Sequence, residues 1–282
     1  MKTEIGFIGS GNMAEAIMAG IIKTGLCKAE CIIASDKSRD RIDYLGRSLG
    51  IKAASSNKEV FETSKVIILS VKPQNMKEIL EDIRPEANTS EKKIIISIAA
   101  GVQISFIESV LYSNIEKKNE KQFPVSRVMP NTPGLAGAGM TGICFNRNIS
   151  DLDAETVKNI FGSMGKTLIC SEPDMDGITA MSGSGPAYVF YFMESMISAG
   201  KELGFSDDES LLLTLETIKG AVKLMETQNE APESLRKKVT SPGGTTEAAI
   251  KHMESAGVKT EIVKGIIAAS SRSKELSKLL SN

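Results

Sequence analysis

The stretch Ile5-Gly6-Phe7-Ile8-Gly9-Ser10-Gly11-Asn12-Met13-Ala14 decides how the rest of the chain reads. A short β-prone apolar run enters a glycine turn. The turn opens into Asn12-Met13-Ala14-Glu15-Ala16-Ile17-Met18-Ala19-Gly20-Ile21-Ile22, whose apolar residues recur at helical spacing, with Gly25 near the end. Gly9-x-Gly11-x-x-Ala14 between a strand and a helix fits a dinucleotide-binding fingerprint. Gly9 permits the tight turn, Gly11 lets a pyrophosphate approach the backbone, and Ala14 lets helix pack closely on strand. The N–H groups of the first helical turn then face the negative charge. A tight turn with no ligand would use the same glycines, so the fingerprint depends on its context.

That context is consistent with it. Working outward, β-rich apolar runs recur at Cys31–Ser35, Val66–Val71, Ile94–Ala99, Val125–Met129, Ala138–Phe145 and Lys166–Cys170, with helix-like stretches between them. Continuous apolar strands separated by helices predict an α/β domain with a doubly wound, mostly parallel sheet covered on both faces. After about residue 172 the strands stop. Pro186 to Leu203 carries a broad apolar face, and Ser206-Asp207-Asp208-Glu209 is a well-formed helix start leading to Met225. Ala231–Val239, Thr246–Ser255 and Lys259–Leu280 read as further helices. The expected organisation is therefore 1–172, a nucleotide-binding α/β domain, and 173–282, an all-helical domain. Several of the later helices are apolar around much of their circumference. A subunit interface accounts for that, and a dense core within one chain is the alternative.

Composition removes many functions. The chain has 282 residues, 34 Lys+Arg against 35 Asp+Glu, one His, four Cys and no Trp. At roughly 150 residues per domain this suggests two domains. A net charge of −1 gives no electrostatic reason to expect nucleic acid or an anionic membrane as partner. No segment approaches the roughly 18 consecutive apolar residues of a membrane span. The first strand begins too soon after Met1 to leave room for a signal peptide, so the cytoplasm is the expected compartment. With His252 alone, a multi-histidine metal site is impossible, and any histidine-based triad would have to use that residue. Six positions beyond Thr246, it reads as a structural or surface histidine. Cys27, Cys31, Cys144 and Cys170 form no C-x-x-C pair and read as reduced, mostly buried thiols. The charge run Asn114–Lys121 reads as a solvated loop or helix face.

Three further segments carry chemistry. At the end of the second strand, Asp36 is suited to accept from a ribose hydroxyl, favouring NAD, whereas Lys37 and Arg39 are suited to a 2′-phosphate, favouring NADP. If Ser35 rather than Asp36 faces the ribose, the basic pair wins; all three are also ordinary turn residues. Arg127-Val128-Met129-Pro130-Asn131-Thr132-Pro133-Gly134 follows a strand, with two prolines fixing the backbone around Asn131, which can both donate and accept. Ser241-Pro242-Gly243-Gly244-Thr245-Thr246-Glu247 precedes a helix and offers hydroxyls, glycines and N–H groups suited to a carboxylate. A Thr cap with Glu nearby would use the same residues. In Met181-Ser182-Gly183-Ser184-Gly185-Pro186-Ala187-Tyr188 the small residues allow close approach of a helix to another backbone or to a cofactor.

Together these segments resemble the pyrroline-5-carboxylate reductase family. The matching pieces are Gly6 to Met13, Ser70-Val71-Lys72-Pro73-Gln74, Ser97-Ile98-Ala99-Ala100-Gly101-Val102, Met129-Pro130-Asn131-Thr132-Pro133, Ser182 to Tyr188, and Ser241 to Thr246. They follow the family's order and span almost the whole chain.

The resemblance implies an N-terminal Rossmann domain and a helical C-terminal domain that interlocks with a second subunit. Such dimers often assemble further, into decamers. It implies that Ile8, Gly9, Ser10, Gly11, Asn12 and Met13 hold a pyrophosphate. Asn57, just past a short extended stretch, would lie near the adenosine ribose or its phosphate, where Ser35 is also read as a cofactor contact. Ser70, Val71, Lys72 and Pro73, with Ile98, Ala99 and Ala100, would line the ribose and nicotinamide. Ser241, Gly244, Thr245 and Thr246 would receive the substrate carboxylate and ring nitrogen, contributed across the subunit interface. Beside the resemblance, Asn131 is read as a further substrate contact and the Thr246 hydroxyl as a relay for a proton at the ring nitrogen. The implied cofactor is NADP(H), with NAD(H) also accepted, and the implied substrate is 1-pyrroline-5-carboxylate.

Two rival readings are another NADP-linked imine or 3-hydroxyacid oxidoreductase, and a nucleotide-binding protein without turnover. A hydroxyacid enzyme needs an acid–base residue such as a lysine. Lys166 and Lys201 are available, but neither sits in a convincing motif. A sensor has no need of the second anion cradle at Ser241–Thr246.

Overall fold

The computed structural model describes residues 3–86 and 91–280. The chain divides into two compact units, Met1–Ser184 with Ala269–Asn282, and Gly185–Ala268.

The first unit is built on an eight-stranded sheet. Its strands are β1 (Thr3–Ile8), β2 (Ile32–Ser35), β3 (Lys52–Ala53), β4 (Ser64–Leu69), β5 (Ile94–Ser97), β6 (Val125–Met129), β7 (Gly139–Phe145) and β8 (Gly165–Ile169). They lie in the order β3-β2-β1-β4-β5-β6-β7-β8. All pairings are parallel except β6 with β7, which runs antiparallel with Arg127 opposite Cys144. The strand order turns back at β1, so the crevice at the carboxyl ends of β1 and β4 is where a doubly wound sheet receives a ligand.

Helices α1 (Asn12–Lys23), α2 (Arg39–Leu49), α3 (Asn57–Thr63), α4 (Met76–Asp82), α5 (Ile104–Leu111), α6 (Asp151–Gly162) and α7 (Met175–Ile178) belong to this unit. Successive strand residues face opposite sides, and the core divides accordingly. Phe7, Ile32, Ile68, Ile96 and Val128 pack with Ile17, Leu45 and Phe161 on one side. Ile8, Ile33, Ile67, Leu69 and Ile95 pack with Val60, Leu80 and Ile107 on the other. Burial on both faces explains why these strands read as continuous apolar runs rather than as alternating ones. A single π-helical turn, Thr179–Gly183, follows α7.

The second unit is helical, with α8 (Gly185–Glu202), α9 (Asp207–Gln228), α10 (Pro232–Lys238) and α11 (Thr245–Ser255). The last helix, α12 (Val258–Leu280), starts in this unit and ends in the first. Ser206 and Glu209 form a reciprocal cap at the start of α9, and Asn229 ends it in the left-handed conformation. The apolar circumference of these helices is not consumed by a core within the chain. Phe190, Tyr191 and Phe192 of α8, Leu212 and Leu213 of α9, and Ile262 and Ile267 of α12 are all exposed. Exposed apolar residues of this kind are what a subunit interface would cover.

The cysteines depart from expectation. Only Cys144 is buried; Cys27, Cys31 and Cys170 are half-buried. Burial, with Cys31 alongside, pushes the Cys27 thiol up to about 11. Burial and the neighbouring Glu172 push Cys144 higher still. Both stay protonated, which agrees with their having no nucleophilic role.

Candidate functional site

In the first unit, Gly9 has φ +88°, and a Cβ there would lie 2.7 Å from the Ser70 carbonyl oxygen. Only glycine fits this crossing of the β1 turn over the end of β4. The Gly9 N–H donates to the Ser35 carbonyl (2.9 Å) and the Ser70 N–H to the Ile8 carbonyl (2.9 Å). The Ser70 hydroxyl donates to the Gly9 carbonyl. The turn is thus fixed to both neighbouring strands.

Gly11 is the opposite case. Its φ is ordinary, and a Cβ there would meet nothing within 4 Å. That open space is the approach a pyrophosphate needs. Gly11 begins α1 with no side-chain cap, so the first-turn N–H groups of α1 are left for an anion. A cavity of about 360 Å³ adjoins this turn. Among the sequence-predicted residues, Ile8, Gly9, Gly11, Asn57, Ser70, Val71 and Lys72 line it, together with Asp36 and Lys37. A glycine whose Cβ would fill an open cradle, at an uncapped helix start, fits a dinucleotide.

Other predicted residues act from behind this wall. Ser10 is fully buried, and its N–H and hydroxyl donate to one Asp36 oxygen at 2.7 and 2.9 Å. Ser35 is buried and donates to Asn57 Oδ1 at 2.8 Å, while Asn57 Nδ2 donates to Asp82 at 2.9 Å. Asn12 and Met13 open α1, and Pro73 starts the short turn before α4. Ile98, Ala99 and Ala100 do not line the cavity; the Ile98 N–H donates to the Leu69 carbonyl at 3.1 Å, placing it beside the end of β4.

Asn131 both donates and accepts, but to partners inside the unit. Its amide donates to the Ser182 carbonyl at 3.1 Å and accepts from the Met140 N–H at 2.9 Å. It thereby holds the turn after β6 to the π-helical turn. There a Cβ on Gly183 would lie 2.5 Å from the methyl end of the Met129 side chain, which would have to swing aside.

The second unit carries the other glycine segment. α11 begins at Thr245 with Gly244 as its cap residue and no side-chain cap, so the Thr cap is not what this loop forms. Glu247 instead reaches back to accept from the Gly243 N–H at 2.7 Å, and Gly243 is left-handed at φ +72°. That hydrogen bond, with Lys251 beside it, holds the Glu247 carboxyl below its usual range. Ser241 and Thr245 are exposed and Thr246 is half-buried. Hydroxyls and N–H groups around the uncapped start of an eleven-residue helix are hydrogen-bond donors of the kind a carboxylate accepts from. His252 is exposed, farther along α11. Lys201 is paired with Asp207 at 2.8 Å, and Lys166 is exposed.

Sequence reasoning missed several residues that shape the first cavity. Asn75 and Ile79 line it, and Arg41, Glu15 and Tyr44 brace its turn. Arg41 Nε donates to the Ser10 carbonyl at 2.7 Å, and its Nη2 pairs with Glu15 at 2.5 Å. No local signal marks Arg41, whose role exists only once α2 lies beside α1.

A family model described as pyrroline-5-carboxylate reductase dimerisation matches residues 172–276, and one described as NADP oxidoreductase, coenzyme F420-dependent, matches residues 4–101. A pyrroline-5-carboxylate reductase of Pseudomonas aeruginosa is 37% identical over 98% of this chain and 97% of its own. The chain belongs to the pyrroline-5-carboxylate reductase family. A Methanosarcina acetivorans pyrroline-5-carboxylate reductase is likewise 37% identical, covering 98% of each chain. In three dimensions, the Plasmodium falciparum pyrroline carboxylate reductase solved with NADP bound superposes with a TM-score of 0.86 at 32% identity, covering 98% of each chain. Among the described residues, no helix is long and apolar enough to cross a membrane, and no cluster of three or more His, Cys, Asp or Glu could hold a metal.

Proposed function

We propose that the chain reduces the C=N bond of 1-pyrroline-5-carboxylate to give L-proline, the last step of proline biosynthesis, using NADP(H) and also accepting NAD(H). The observation that carries this reading is the pairing of two built anion cradles: the open Gly11 turn for a dinucleotide and the uncapped Gly244–Thr246 helix start for a carboxylate. A nucleotide sensor needs only the first. When bound, the dihydronicotinamide supplies the hydride.

The chain's own residues then have mainly positioning work, since a protonated cyclic imine is already electrophilic. Ile8 to Met13 hold the pyrophosphate, with Ser10 acting through the backbone. Ser35 and Asn57 set the adenosine end. Ser70, Val71, Lys72 and Pro73 form the wall toward the nicotinamide, with Ile98, Ala99 and Ala100 behind it. Ser241, Gly244, Thr245 and Thr246 take the substrate carboxylate and ring. The Thr246 hydroxyl hydrogen-bonds the ring nitrogen; where the imine enters unprotonated, it relays to that nitrogen one proton taken from water as hydride reaches the carbon, while Asn131 serves as a positioning residue. Residues 1–172 form the cofactor domain and 173–282 the dimerisation and substrate domain. The exposed α8, α9 and α12 faces support a homodimer, assembling further into decamers, in the cytoplasm and without a nucleic-acid or membrane partner.

Incubation with the imine and NADPH carrying deuterium at the transferred position tests the reaction. One deuterium should appear on the former imine carbon of proline. Proline without deuterium, or no proline, would overturn the reading.

A further inference from the structure

We propose that Asp36 narrows this chain's preference for NADPH over NADH by presenting a fixed, charged acceptor to the adenosine ribose. The proposal rests on the cofactor reading above.

Asp36 follows β2 directly and lines the cavity beside Gly9, Gly11 and Asn57, whereas Ser35 is buried behind it. Of the two candidates for facing the ribose, Asp36 is therefore the one in place. One of its oxygens accepts from the Ser10 N–H and hydroxyl, and the other accepts from the Ser38 N–H at 2.9 Å. A carboxylate has about four acceptor positions, so one stays available for a further donor. The side chain is thus held rigidly with one lone pair unused. A ribose 2′-hydroxyl donates to such an oxygen. A 2′-phosphate brings negative charge and is repelled by it.

The neighbouring cations do not cancel this charge equally. Arg41 lies in the same network, but its guanidinium is committed to Glu15 (2.5 Å) and the Ser10 carbonyl (2.7 Å). Lys37 pairs with Glu78 at 3.4 Å, and Arg39 with Asp43 at 3.1 Å. Both of those pairs are exposed, and exposed pairs hold weakly. Lys37 can turn to a phosphate, which keeps NADPH usable, while Asp36 opposes it. Burial by itself would raise the Asp36 pKa, but hydrogen bonds from Ser38 and Ser10, with Arg41 nearby, hold it below the usual carboxylate range. The opposing charge is present at neutral pH.

Calorimetric titration of the full chain with 2′,5′-ADP and with ADP reads the adenosine end without turnover. Asp36→Ser removes the charge; Asp36→Asn removes it while keeping side-chain size and one acceptor for Ser10. In both variants the affinity for 2′,5′-ADP relative to ADP should rise about tenfold, equivalent to about 1.4 kcal/mol. The kcat/KM ratio for NADPH over NADH should move in the same direction. An unchanged ratio overturns the proposal, whether both affinities fall together or neither changes; Asp36 is then only a brace for the glycine turn. If the unaltered chain binds neither nucleotide, the cofactor reading itself fails, and this proposal fails with it.

Discussion

The Arg127 guanidinium and the Glu172 carboxylate lie 2.6 Å apart, joining β6 to the turn after β8. Arg127 is 3% exposed and Glu172 30%. The same carboxylate group also accepts from the Ile104 N–H (3.4 Å) at the start of α5 and from the Cys144 thiol (3.5 Å). One acidic residue therefore fastens three elements around a buried cation. Glu172→Ala leaves that cation unpaired and should cost about 3 kcal/mol, the low end for a broken buried pair because Glu172 is partly hydrated. Urea unfolding checks this through a lower midpoint at unchanged slope.

Gly9 and Gly11 sit two residues apart and should respond in opposite ways to alanine. Gly9→Ala meets a left-handed backbone and the Ser70 carbonyl, so stability should fall by more than the roughly 1–2 kcal/mol of the backbone term alone. Gly11→Ala meets nothing, so stability should stay within about 0.5 kcal/mol. Its methyl group occupies the pyrophosphate approach, and NADPH affinity should fall at least about tenfold. Thermal unfolding and cofactor titration on the same two variants separate the effects.

That pair also shows what was legible in the sequence. The Gly9-x-Gly11-x-x-Ala14 turn and the helix behind it were readable because the chemistry is local. β3 was not among the apolar runs because it is two residues long. The antiparallel direction of β7 left no mark, since a strand buried on both faces reads alike in either direction. The Asp36–Ser10 contact spans 26 positions and exists only through the β1–β2 pairing. For the same reason Arg41 carries no mark in the sequence, and the partners of Asn131, Ser182 and Met140, are not ones the sequence pairs with it.

Acid should weaken the start of α6 in a defined direction. Asp153 is buried, which alone would raise its pKa, but Lys92 at 2.6 Å and the Ser150 cap hold its carboxyl below the usual value. A folded pKa below the unfolded one, about 3.9, means stability fully present above that value and lost as pH falls through the folded pKa. Asp153→Asn should lower stability at neutral pH and flatten the loss below about pH 4. Denaturation curves across that range provide the check.

In the proposed reaction the Thr246 hydroxyl meets the ring nitrogen. Thr246→Val keeps the shape and removes the hydroxyl, so kcat/KM for the imine should fall roughly tenfold, the worth of about one hydrogen bond, with NADPH affinity unchanged. Steady-state kinetics and cofactor titration report the two quantities separately. Unaltered turnover and substrate affinity would remove Thr246 from the mechanism.

Reduction at C=N is read directly by one assay. Purified protein is mixed with NADPH and either 1-pyrroline-5-carboxylate or a keto acid, and in parallel with NADP+ and a 3-hydroxyacid, while cofactor redox state and proline are followed. The account predicts NADPH oxidation with the imine alone, matched mole for mole by proline. No oxidation with the imine, alongside turnover of the hydroxyacid or keto acid, would contradict it.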